Sequence, residues 1–546
     1  MVDSCKVVVI GLDGATFDLI DPWIAEGKLP TLAELLRSGA GGALRSTIPH
    51  HSGPAWTSFA TGLGPGKHSI YSFFHRDYGS YTYPPVNSRF VRGETLWHLL
   101  GRTGKTVGVM NVPGTFPPMP VNGFMITGML SPNIESAFYP PDLREKVLRQ
   151  APEYSVEAIP LADKMAYLDK AKRSIEARTQ AALYLLREHS PDLFVAVFTE
   201  LDRLQHFFWA DMDPEHPSHS PETDPELSRA IETGYVALDR AIAALLEAVG
   251  EDSIVILMSD HGFEGVYKTF YANRWLMEQG YLMLRDRRSG SAAHRVKGAL
   301  QKVGLWQLVR KARGRIPQAD RFRSENLTYA VDIDWDRTRA AFGPNLGINI
   351  NLQGREPRGI VSPGQEYQDL CSELRHALES WRDPETGGRV VEKVLRREEV
   401  YHGDAVELAP DLRLIMARGT LYRGRYAYSP KVVAAGPLAY PDRVFGNHAE
   451  FGILVACGPG IRPGARIEGA QIVDVAPTIL YAMGLPIPES MDGRPLEALF
   501  ADGFVPTQED GAQMMHTSSS FAGESTYSVP EEAQVMERLR SLGYLD

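Results

Sequence analysis

Apolar residues are spaced along this chain in two rhythms. Short unbroken runs, "KVVVIGL" at 6–12, "TVGVMNV" at 106–112, "LFVAVFTE" at 193–200, "SIVILMS" at 253–259 and "FGILVAC" at 451–457, have the length and β-branched content of buried strands. Between them apolar positions recur at helical spacing, which predicts helices over 30–38, 93–102, about 164–188, 225–249, 272–280, 364–381 and 473–484. Within 225–249, Leu227, Ile231, Val236, Leu238, Ile242 and Leu245 mark the buried stripe. Strands alternating with helices predict an α/β fold, with a mostly parallel central sheet covered by helices on both faces.

Two segments break the rhythm. From Arg287 to Gln318 there is no acidic residue, and Val296, Leu300 and Val303 form one apolar edge of an amphipathic helix. After about 503 a polar stretch leads to "PEEAQVMERLRSLGYLD", where Pro530 suits a helix start and Val535, Leu539 and Leu542 share a face. The expected organisation is a catalytic domain formed by 1–282 and 331–503, a basic helical insertion or cap at 283–330, and a polar linker with a C-terminal docking helix at 504–546.

Composition narrows the function. A chain of 546 residues can bury one large core and carry additions. Its 43% hydrophobic and 23% charged fractions are those of an ordinary globular protein. A net charge of -11 argues against a nucleic-acid-coating role, so no nucleic-acid partner is expected. Cys5, Cys371 and Cys457 are far apart and form no CxxC, which supports neither a disulfide framework nor a cysteine zinc site. The first strand follows "MVDSC" with no leader pattern, and no run approaches about 18 apolar residues, so a cytoplasmic protein without a membrane span is expected. The basic insertion is read as a solvated cap helix in preference to a contact with anionic lipid. Oligomeric state is not legible.

"LMSDHGFEG" at 257–265 raises the chemical question, because Asp260 and His261 emerge directly from a buried strand. Buried charges persist when they are paired or hold a metal. In open α/β sheets ligands sit beyond the carboxyl ends of strands, so other acids and histidines at such ends are candidate partners. Asp13 follows the first strand. Asp202 follows the third with His206 four residues on, so the two share a face if the segment is helical. His448 precedes the last clear strand. Three carboxylates and three imidazoles without a thiolate suit Zn²⁺ first and Mn²⁺ second, and two ions better than one. Ser52, in "STIPHHSGPAWTSFATG", stands where a helix N-terminus favours an anion, and a metal could activate its hydroxyl. Competing with it are His50, His51, Thr57 and Ser58, and a helix cap is its bland reading.

The ordered set of LDG, a serine before TG-x-x-P-x-x-H, D-x-x-x-H, S-D-H-G and a late G-x-H resembles the alkaline-phosphatase superfamily. The branch it resembles most is that of type I phosphodiesterases and nucleotide pyrophosphatases, within it a bacterial and archaeal group of predicted phosphohydrolases or phosphomutases. The resemblance spans most of 5–500 and implies a three-layer α/β sandwich. It also implies one ion on Asp13, Asp260 and His261, with nucleophilic Ser52 bridging, and another on Asp202, His206 and His448. Two positions depart from the pattern. Ala55 stands where nucleotide-cleaving relatives have Asn, and His68-Ser69-Ile70 replaces H-G-I, so transition-state contacts are expected to differ.

Three carboxylates and a serine alkoxide carry four negative charges, which two divalent ions cancel. Such a site accepts a monoanionic phosphodiester readily, whereas a dianionic monoester wants an extra cation, for which Arg203, Lys268 and the insertion are candidates. "GRTGKT" and "GLGPGKH" fail as phosphate loops in spacing and context, and "SGPAW" lacks the arginine of a sulfatase motif. Asp18, Asp21, His68 and His75 are read as structural, and Trp56 and Phe59 as core. The expected function is metal-dependent hydrolysis of phosphate esters on a phosphorylated small molecule, with diesters favoured and a phospho-serine intermediate. A phosphomutase or phosphomonoesterase is the alternative, and a non-catalytic phospho-ligand-binding protein is the alternative of another class.

Overall fold

Alternation within single strands decides the layering. In Lys6–Leu12, Val7 and Val9 face one side while Val8, Ile10 and Leu12 face the other. The first side packs on Trp56, Phe59, Leu96, Leu100, Ile479 and Leu480. The second packs on Leu32, Leu35, Leu168, Ile175, Leu185, Ile231 and Leu238. Each fully buried Val, Ile or Leu contributes about 1.5–3 kcal/mol, which is why strands apolar on both faces lie at the centre of three layers. The computed structural model describes residues 6–157, 159–285, 333–423, 433–435, 444–504, 527–542 and 544.

The main sheet runs in the order Ala465–Arg466, Ala40–Arg45, Phe451–Cys457, Ser253–Met258, Lys6–Leu12, Leu193–Phe198, Val107–Met110, Gly123–Ile126, Phe138–Tyr139. From Ser253–Met258 to Gly123–Ile126 every pairing is parallel. Phe451–Cys457 enters antiparallel between Ser253–Met258 and Ala40–Arg45. The expected strands and helices are found, with local differences. The 225–249 pattern divides into Pro225–Ser228 and Ala230–Val249, and the helix expected from 93 begins at Leu96.

A second, antiparallel sheet orders Ala340–Gly343, Gly347–Ile350, Leu412–Met416 and Val391–Arg396, with the helix Gln365–Ser380 packed against it. It has its own core around Trp275, Phe342, Ile348, Leu370, Leu374 and Leu412. The helix Val529–Ser541 is capped by Ser528 and Glu531 and buries Val535, Met536, Leu539 and Leu542 against Phe73, Phe116, Met129 and Leu130. The basic insertion lies outside the described residues apart from Met283, Leu284 and Arg285, and so does the polar linker from 505 to 526. No helix among the described residues is long and apolar enough to cross a membrane.

Candidate active site

Three neighbouring parallel strands end side by side, with Leu12 opposite Phe198 and Gly11 opposite Met258. Each is followed by a polar group. Asp13 follows Leu12, Asp260 and His261 follow Met258 and Ser259, and Asp202 lies in the first turn of the helix Glu200–Met212, one turn before His206. His448 arrives on Gly446–Ala449, which pairs antiparallel with Gly262–Gly265 and sets Ala449 opposite Gly262, beside His261. Ser52 opens the helix Ser52–Thr61. Topology therefore carries all seven sequence-nominated residues to one place, and all seven are buried there.

The side chains form two triads, Asp202 with His206 and His448, and Asp13 with Asp260 and His261. In each, the candidate ligand atoms lie within 4.8 Å of one another. In the first triad His206 Nε2 and His448 Nε2 are 3.1 Å apart, and Asp202 Oδ1 is 3.3 Å from the former and 3.1 Å from the latter. A tetrahedral ion with bonds of about 2.0–2.1 Å needs ligand separations of about 3.3 Å, so this triangle fits a divalent cation without rearrangement. In the second triad His261 Nε2 is 3.6 Å from Asp13 Oδ1 and 3.3 Å from Asp260 Oδ2, with Ser52 Oγ at 3.2 Å. The triads adjoin, since His261 Nε2 is also 3.8 Å from Asp202 Oδ1.

The donor and acceptor inventory is the most selective test of a cation site. Asp13 Oδ1, Asp202 Oδ1 and Asp260 Oδ2 are all buried without a hydrogen-bond partner, a costly arrangement unless a cation completes it. Their sister oxygens are served. Asp13 Oδ2 accepts from Trp56 Nε1 at 3.1 Å, Asp260 Oδ1 from the Gly14 N–H at 3.4 Å, and Asp202 Oδ2 from Arg203 and from the Tyr544 hydroxyl at 3.4 Å. The imidazoles follow the same rule. Nδ1 of His206, His261 and His448 lies 2.7, 3.0 and 2.9 Å from the carbonyl oxygens of Gly446, Gly262 and His50. Each Nδ1–H donates to its carbonyl, which fixes the tautomer and leaves the Nε2 lone pair free to bind a cation.

Electrostatics agree. Burial holds His206 and His261 below the ordinary imidazole range, hence neutral and able to ligate. Burial, reinforced by the Asp202 charge, pushes Asp260 up to about 7. Burial followed by the Asp260 and Asp202 charges raises Asp13 as well. Crowded carboxylates of this kind are relieved by positive charge.

The competing serine, threonine and histidine groups are committed elsewhere. The N-cap of the helix is His51, whose Nδ1 accepts from the Gly53 N–H at 3.2 Å, so the Ser52 hydroxyl is not spent on capping. His50 Nδ1 is held by Thr47 O, Thr57 by Gly53 O, and Ser58 by His68. Asp18 lies in the first turn of another helix and pairs with Arg418. Trp56 is core, as expected, yet its N–H also orients Asp13, a role with no local sequence signal. Arg203 stands at the site, but its guanidinium is taken by Glu157 at 2.8 Å, by Asp202 and by Tyr544. Lys268 is paired with Asp383 and Glu385. Gln205 Nε2 donates to Gly14 O at 2.8 Å and steadies the turn after Asp13.

The sequence of residues 7–438 matches the family model described as type I phosphodiesterase / nucleotide pyrophosphatase. The chain belongs to that family. As a member of the type I phosphodiesterase/nucleotide pyrophosphatase family it is a phosphoric ester hydrolase of the alkaline-phosphatase superfamily, and the family is metal-dependent. Solved structures that share its fold include the following two. Phosphonoacetate hydrolase from Sinorhizobium meliloti 1021 aligns with a TM-score of 0.50 at 14% identity over 91% of this chain and 94% of its own. Murine ectonucleotide pyrophosphatase / phosphodiesterase 5 aligns with a TM-score of 0.51 at 14% identity over 91% of this chain and 100% of its own. No curated protein matches the sequence directly. One departure from the family pattern is absorbed locally. Ser69 adopts φ 71, the left-handed region that favours glycine, and its hydroxyl donates to Phe90 O at 2.6 Å.

Proposed function

We propose that the protein is a phosphodiesterase that uses two divalent ions, Zn²⁺ or else Mn²⁺, and Ser52 as nucleophile. The observation that carries this reading is the convergence of three unpartnered carboxylate oxygens and three outward-tethered imidazoles beside the Ser52 hydroxyl. Asp13, Asp260 and His261 would hold one ion with Ser52 at its edge, and Asp202, His206 and His448 would hold the other. Bound there, the cations would offset the carboxylate charges, favour the serine alkoxide and stabilise negative charge on the phosphoryl group.

The residues then divide the reaction. Ser52 Oγ forms a bond to phosphorus in line as the bond to the leaving oxygen breaks, and the departing alkoxide takes up a proton. Water next forms a bond to the same phosphorus, the P–Oγ bond breaks, and Ser52 returns to its hydroxyl form. The Nδ1–carbonyl tethers keep three imidazoles from swinging during these steps. Charge favours a diester. The Asp13, Asp202, Asp260 and Ser52 anions balance two divalent ions, and the Arg203 charge is already matched by Glu157. Among the described residues, both cations that the sequence offers for a dianionic monoester, Arg203 and Lys268, are committed to acids.

The test is Ser52→Ala assayed on nitrophenyl mono- and diesters with added Zn²⁺ or Mn²⁺. Turnover, highest on a diester in the unsubstituted protein, is expected to vanish while ion content is unchanged. Turnover persisting in the variant would refute the covalent route.

A further inference from the structure

Asp202 offers Oδ1 towards His206 and His448 while Oδ2 is occupied, and the occupant comes from the far end of the chain. Beyond the helix Val529–Ser541, the Tyr544 ring lies edge-on to His51 with centroids 5.3 Å apart and to Phe73 at 4.9 Å, and 6.0 Å from His206. Its hydroxyl accepts from Arg203 Nη1 at 2.9 Å and donates to Asp202 Oδ2 at 3.4 Å. Arg203 donates to the same Oδ2, so arginine, tyrosine and aspartate close a three-membered ring of hydrogen bonds. Tilting or swinging the carboxylate out of this position would take its oxygen away from both donors.

This tyrosine is delivered by an anchored element. The Tyr527 hydroxyl donates to Leu130 O at 2.9 Å, Arg538 donates to Ser131 O and Pro132 O, and Val535, Met536, Leu539 and Leu542 are buried against the catalytic body. A helix fixed at several points places the Tyr544 oxygen reproducibly. A tail used only for packing has no need of a hydroxyl at this position.

We propose that Tyr544 is a positioning residue for the metal site, holding Asp202 so that Oδ1 faces the ion. The inference rests on Asp202 being a ligand, as proposed above. Hydrogen-bond partners of ligating carboxylates set their orientation, and losing one typically costs 10–100-fold in ion affinity.

The experiment is chelator competition for Zn²⁺ on the full chain, comparing the unsubstituted protein with Tyr544→Phe and Tyr527→Phe, alongside melting curves of the ion-free proteins. Tyr544→Phe keeps the ring and removes only the hydroxyl. It is expected to weaken one of two bound ions about tenfold and leave the other unchanged. Turnover should fall at limiting Zn²⁺ and recover as Zn²⁺ is raised. Tyr527→Phe is expected to lower the melting temperature without altering ion affinity. Unchanged affinity for both ions in Tyr544→Phe overturns the inference while leaving the two-ion reading intact. Equal weakening in Tyr527→Phe also overturns it, because the tail would then act through folding alone. An unsubstituted protein that takes up no ion would remove the two-ion reading and this inference together.

Discussion

The indole N–H of Trp56 donates to Asp13 Oδ2 at 3.1 Å, linking the helix that starts at Ser52 to the carboxylate at the end of the first strand. The proposed nucleophile and a candidate ligand are thereby held by one element. The contact depends on Gly11, because a Cβ there would lie 2.5 Å from Trp56 Cη2 and 2.9 Å from Val197 Cγ2.

Replacing Trp56 by Phe tests that link. A smaller aromatic ring stays, the donor is lost, and both Asp13 oxygens become unpartnered in a buried place. Ion affinity should fall about tenfold or more. Stability of the ion-free protein should fall by at least about 1–3 kcal/mol, the cost of stranding a buried acceptor, with the gap left by the smaller ring adding to it. Chelator competition and denaturant unfolding read the two effects separately, and unaltered ion binding would assign Trp56 to packing alone.

His68 gives a pH signature away from the triads. Burial holds its imidazole down at about 3, with Nδ1 accepting from the Ile70 N–H at 3.1 Å and Nε2 2.9 Å from Ser58 Oγ. The unfolded chain, with a histidine pKa of about 6.5, binds the proton that the folded chain refuses. The contribution to stability is therefore complete above about 6.5 and is lost as pH falls towards about 3. Between pH 6 and 5, the ion-loaded protein should lose about 1 kcal/mol more than His68→Gln, whose amide does not titrate. Parallel pH dependences in urea unfolding of the two proteins would show that His68 is not the refused site.

Much of this architecture can be read from the sequence, and the unread parts have physical causes. The long β-branched runs could only be buried strands, and their order in an α/β sheet brings Asp13, Asp202, Asp260 and His261 to one edge. Ala40–Arg45 carries no such signal. Its sequence "AGGALR" is glycine-rich because the backbone of Ile467 lies against it, where a Cβ on Gly42 would stand 2.0 Å from Ile467 O. The strands of the second sheet are short and, in "VEKVLR", mixed with charges, so their period is hard to see. At the site, the candidate ligands announce themselves as Asp and His at strand ends, and their supports do not. The bonds from Trp56 to Asp13, Arg203 to Glu157 and Tyr544 to Asp202 span 43, 46 and 342 positions. Nothing local marks a tryptophan or tyrosine whose polar atom will be used so far away.

The central claim is that the two triads each hold a divalent cation, and the count of Zn²⁺ bound per chain tests it most directly. Chelator-stripped protein titrated by calorimetry is expected to take up two ions, and His448→Ala only one. Uptake of fewer than two by the unsubstituted chain, or of two by His448→Ala with undiminished affinity, would contradict the account.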